Sequence, residues 1–71
     1  MNAQKRLARL LIIYTTAEDA SRQHGTSNLV RLAQLTSSLL EDEYLALRDP
    51  ELGALPVELR ARVEKVIREG R

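Results

Sequence analysis

The chain of 71 residues carries 11 basic and 10 acidic side chains, a net charge of +1, one histidine and no cysteine. A length of this order allows one domain, spanning 1–71, that buries only about 60% of its unfolded surface. Balanced charge gives no general pull towards nucleic acid or membrane, absent thiols exclude disulfides and thiolate zinc sites, and a lone histidine cannot build a histidine zinc site. Chains this short hold together through a staple, a metal, a partner or well-matched helices. With staples and such metal sites removed, helix packing and a partner remain. Leucine supplies 13 residues while phenylalanine and tryptophan are missing, a composition suited to helix-on-helix packing.

Lys5, Arg6 and Arg9 precede the apolar run Leu10, Leu11, Ile12, Ile13 and Tyr14, a faint likeness to a signal peptide. The run is too short, and Glu18 and Asp19 stand where small residues should mark a cleavage site. No stretch approaches the roughly 20 apolar residues a membrane span needs, so the chain reads as cytoplasmic, with no membrane partner.

The first periodic segment predicts a helix near 3–24. Residues 7–14 alone are also compatible with a buried strand, but no second strand candidate exists to pair with them. Gly25 is a natural helix stop, and Thr26 and Ser27 are good caps for a second helix, predicted near 28–48. Asp49-Pro50 ends it, because the residue before proline avoids the helical region. A short connector passes Gly53, and Pro56 suits the first position of a third helix, near 56–69, with Gly70 as its stop. The fold class is therefore all-α.

The third helix has one apolar stripe, Leu59, Val63, Val66 and Ile67, and charged pairs spaced for intrahelical contact, Glu58 with Arg62 and Glu64 with Arg68. The second helix has two stripes: Leu29, Ala33, Leu40, Tyr44 and Leu47 form one, and Leu32, Leu35, Leu39 and Ala46 the other. On the first helix Leu7, Leu10, Leu11, Tyr14 and Ala17 share a face, while Ile12 and Ile13 point away from it. The short link at 24–27 makes the first two helices an antiparallel hairpin. Leu11 then meets Leu40, Leu7 meets Tyr44, the Tyr14 hydroxyl falls near Thr36 and Ser37, and Lys5 and Arg9 face Asp42 and Glu43 as ion pairs.

The third helix is short, so Ile12, Ile13, Leu32, Leu35 and Leu39 are expected to stay uncovered by it. That much apolar surface is unusual on a soluble monomer and predicts a protein interface through these five residues, either a homodimer seam or a partner's docking site. The competing expectation is that the third helix and connector residues Leu52 and Leu55 bury them all.

Catalytic chemistry is thinly represented. Glu41, Asp42 and Glu43 are consecutive on a helix and point in different directions, so they cannot converge as a general acid and base. They also lack calcium-loop spacing. His24, just before Gly25, suits the carbonyl end of a helix and has no orienting acid beside it. Gly25, Gly53 and Gly70 are too scattered for a phosphate loop. No enzyme, metal or cofactor is expected. Basic residues collect after position 59 and read as a solvated helix face.

The sharpest alternative is a helix-turn-helix around 17–35, in which Ser27, Asn28 and Arg31 would read bases and Arg22 and Arg31 would hold phosphates. Gln23, His24 and Gly25 depart from that motif at its turn, so nucleic acid is the lesser expectation. The preferred reading is a small, non-enzymatic regulatory or inhibitory adaptor, homodimeric, that binds a larger protein of the kind bacteria and phages inactivate this way.

Overall fold

The computed structural model describes residues 2–69, which form three α-helices and no strand: α1 over Ala3–His24, α2 over Ser27–Leu45 and α3 over Val57–Glu69. α1 and α2 form a helical hairpin, and α3 folds back against both. The molecule measures 40 × 20 × 17 Å, its length set by α1, since 22 residues at about 1.5 Å each span roughly 33 Å.

Local chemistry sets the helix ends. Asn2 is the N-cap of α1, and its side-chain oxygen accepts the Lys5 N–H at 2.9 Å, satisfying one of the donors a helix start leaves open. The other end closes on Gly25, whose φ of 64° lies in the left-handed region that glycine enters without a Cβ penalty. Its N–H donates to the Ser21 carbonyl at 2.7 Å. That bond, rather than His24, closes the helix; His24 is exposed. A Cβ at Gly25 would meet no atom within 4 Å, so Gly25→Ala should destabilise by about 1–2 kcal/mol through backbone conformation alone. Urea denaturation followed by circular dichroism would measure it.

Thr26 takes the N-cap position of α2 as expected, but its side chain makes no capping bond. The helix then stops at Leu45, three residues short of the expected 48. Leu47, just beyond it, is buried in the core. The Leu47 N–H turns back to the Tyr44 carbonyl at 3.2 Å, and the Arg48 guanidinium donates to the carbonyls of Leu45 and Leu47 at 3.1 and 3.0 Å. A cation on these orphan carbonyls is favourable at a helix C-terminus. The connector is a run of turns tied by Leu52 N–H to Arg48 and Ala54 N–H to Pro50, with Leu55 buried beneath it. Pro56 precedes α3 rather than opening it, its carbonyl accepting the Arg60 N–H. The expected stop at Gly70 lies outside the described residues.

The core holds Ala3, Leu7 and Leu11 of α1, Leu40 of α2, Leu47 and Leu55 of the connector, and Val63 and Val66 of α3. Leu7, Leu40 and Val63 are completely enclosed. Leu7, Leu11 and Leu40 belong to this one cluster, with Tyr44 packed against it. α3 supplies Leu59, Val63, Val66 and Ile67 to it, the stripe read from its periodicity.

Two polar expectations are corrected. Tyr14 donates its hydroxyl to Glu18, not to Thr36 or Ser37. The two residues lie one turn apart on α1, so the carboxylate reaches the phenol without crossing the seam. Thr36, the one buried polar side chain among the described residues, instead bonds the Leu32 carbonyl behind it at 2.7 Å, as helical threonines do. Among the described residues an ion pair crosses the hairpin at Arg6–Glu43, 3.1 Å, rather than through Lys5 or Arg9. Glu43 reaches the residue one turn nearer the N-terminus than Arg9.

On α3 the recorded ion pair is Arg60–Glu64 at 3.7 Å, in place of Glu58–Arg62 and Glu64–Arg68. The Tyr44 hydroxyl organises it, donating to Glu64 at 2.6 Å and accepting from Arg60 at 3.2 Å, and so fastens α3 to α2. Tyr44→Phe should destabilise the protein by about 0.5–1.5 kcal/mol, read as a shift in urea midpoint with an unchanged helical spectrum.

Candidate functional site: an exposed apolar face on the hairpin

The hairpin keeps an apolar surface that α3 leaves open. Ile12 is 64% exposed, Ile13 45%, Leu32 44%, Leu35 58% and Leu39 54%. All five residues expected at an interface are therefore uncovered in the single chain, and α3 and the connector do not bury them. Leu52 and Leu55 turn into the core instead. The cause lies in helical geometry: a 3.6-residue period lets Leu40 and Ala33 point into the core only by turning Leu32, Leu35 and Leu39 outward.

Two shallow grooves run along the α1–α2 seam on this side. One, of about 340 Å³, lies among Arg6, Arg9, Leu10, Ile13, Leu39 and Glu43. The next, of about 240 Å³, lies among Ile12, Ile13, Thr16, Ala20, Leu29 and Leu32, over Ala17. The two, which share Ile13 as a wall, together make up the trough of the hairpin, and no α3 residue lines either. The Arg6–Glu43 pair marks its end at the open mouth of the hairpin. Every buried side-chain polar atom among the described residues has a hydrogen-bond partner. The interior is thus complete, and the unfinished feature is the outer face.

A second groove, of about 300 Å³, separates α1 from α3 and is lined by Leu11, Ile12, Tyr14, Arg62, Lys65 and Val66, with Glu18 and Glu69 at its edges. Within it the Tyr14 phenol is pushed up to about 12, first because it donates to Glu18 and then because it is partly buried. Tyr44 is also raised, chiefly by burial and then by its bond to Glu64. A phenol whose folded pKa is raised stabilises the fold fully below pH 10 and loses that contribution as pH climbs through the folded value. Both tyrosines of the chain should therefore ionise later than free tyrosine in an ultraviolet titration, and the domain should weaken above pH 10.

Of the residues considered for DNA contact, Arg22 is held by Glu18 at 2.7 Å, Ser27 begins α2, and Asn28 and Arg31 are exposed on the α2 surface. α1 and α2 lie side by side as a hairpin, whereas a helix-turn-helix crosses at about 90–120°. Among the described residues no three histidine, aspartate or glutamate side chains are grouped to hold a metal ion, and no helix is long and apolar enough to cross a membrane. Of the acidic trio, Glu43 is engaged by Arg6 and Asp42 is exposed.

Sequence reasoning missed three further exposed apolar side chains, Val30, Leu45 and Val57, the last 82% exposed. Val57 stands off the α3 stripe, and that offset was the available signal. Compared with family models, with curated proteins and with solved structures, the chain matches none.

Proposed function

We propose that the chain is a non-enzymatic protein–protein interaction module, a small regulatory or inhibitory adaptor whose activity is occupancy of a larger protein's surface. The observation that carries this reading is the uncovered apolar face: Ile12, Ile13, Leu32 and Leu39 line its two grooves, and Leu35 is 58% exposed between Leu32 and Leu39 on the α2 stripe. A folded domain whose interior polar groups are all satisfied has no internal reason to leave five large aliphatic side chains in water. Exposed patches of this kind mark interaction sites, and a trough between two helices accepts side chains of a facing helix. Binding energy at such a surface concentrates in a few large residues, here Ile12, Ile13, Leu35 and Leu39.

The test is affinity capture from native extract, with and without nuclease, using the wild type alongside Ile12→Asp and Leu35→Asp. The reading expects a stoichiometric protein that survives nuclease and is lost with either substitution. Recovery of nucleic acid alone, or a protein bound equally by all three chains, would overturn it.

A further inference from the structure

We propose that the occupant of the trough is a second copy of this chain, packed antiparallel so that two hairpins close into a four-helix bundle with the α3 helices outside. This goes beyond the interaction reading: it names what covers the face, and a larger partner then meets the dimer rather than the bare trough.

The spacing of the exposed residues is the first argument. Along α2 and its C-terminal end, Asn28, Leu32, Leu35, Leu39, Asp42 and Ala46 recur at alternating steps of four and three, and all are exposed. That alternation is the a/d seam of a coiled coil, the geometry in which helices exchange knobs and holes. Arg9, Ile13, Thr16 and Ala20 repeat the same steps on α1. The trough thus offers two parallel seams side by side, as one half of a helical bundle does.

Charge fixes direction and register. Arg31 and Asp42 flank the leucines at opposite ends, both are exposed, and among the described residues neither makes an ion pair within the chain. A parallel pairing would set like beside like at each end. An antiparallel pairing that puts Leu35 against Leu39 of the partner subunit brings Arg31 beside Asp42 of the partner subunit, twice by symmetry. Sliding one heptad to set Leu32 against the partner's Leu35 leaves Arg31 opposite the partner's Thr36 and Asp42 beyond the start of the partner's α2. Both registers stack leucine on leucine, and only the first pairs the charges. Twofold symmetry demands a self-complementary patch of this kind.

Ile12 lies at the edge of this contact and borders the α1–α3 groove, which the dimer leaves free for a larger partner.

The chain has no cysteine, so single thiols report register without background. Mixed Leu35→Cys and Leu39→Cys chains should oxidise to a crossed disulfide faster than either chain alone. Arg31→Asp should weaken the dimer about tenfold by light scattering, and Arg31→Asp combined with Asp42→Arg should restore it. A wild type that stays monomeric through high micromolar concentration, disulfides that favour Leu35 with Leu35, or a double variant no stronger than the single would each overturn the proposal. A monomer whose captured protein is still lost with Leu35→Asp sinks the second copy and leaves the interaction reading standing. A dimer with the predicted disulfide, but no protein captured through this face, does the reverse.

Discussion

Leu40→Ala should come close to unfolding the protein. Leu40 is completely enclosed where α1, α2 and α3 meet, so truncation removes three heavy atoms from a site with no solvent to refill it. Leucine-to-alanine changes in such positions cost about 2–5 kcal/mol, the transfer of the lost groups plus the cavity left behind. A domain of this length has a total stability on the order of 4–10 kcal/mol. The upper part of the expected loss therefore consumes most of the reserve, and no other hydrophobic layer compensates in a three-helix core. Leu45→Ala is the control: the side chain has the same chemistry but is 58% exposed and lies off the seam, and its change should stay within about 0.5 kcal/mol. Urea melts of the two variants should separate widely. Similar midpoints would mean that Leu40 does not carry the core.

Ile13→Asp should act in the opposite way, leaving the fold intact and abolishing self-association. Ile13 borders both segments of the trough and is 45% exposed, so an aspartate there remains solvated in the single chain. In the bundle it is duplicated by symmetry, and two carboxylates would enter an apolar seam. Each lost isoleucine forfeits about 1.5–3 kcal/mol of burial, so the dissociation constant should rise at least about a hundredfold. A folded dimer that has lost a captured protein would place Ile13 in a docking site instead. General unfolding would place it in the core.

Much of this fold was legible because its signals are local. Gly25, Thr26 and Pro56 punctuate the chain by backbone chemistry, and α1 falls where the periodicity set it; the Asn2 cap was not read from the sequence. α2 ends three residues before the expected boundary, where Arg48 donates to the Leu45 and Leu47 carbonyls, a contact that periodicity does not report. The Tyr14 and Arg6 partners were misassigned for a related reason. Periodicity orders residues around each helix, but it does not fix the relative rotation and axial offset of two helices closely enough to choose between neighbours one turn apart.

The candidate face shows the same boundary. Its residues were visible as a second stripe on α2 and as the isoleucines turned away from the α1 stripe, because amphipathic patterning reports which sides of a helix avoid water. Patterning does not say what covers those sides. The seam spacing and the opposed charges of Arg31 and Asp42 add that information only once the hairpin shows which side α3 leaves open.

Sedimentation equilibrium of the wild type and Leu35→Asp, side by side across a wide concentration range, tests the central claim that this face is an interface. Leu35→Asp should sediment as a folded monomer throughout, while the wild type passes to a dimer and no further. A wild type and variant that sediment alike, with the same helical content, would contradict the account, because the exposed stripe would then have no part in association.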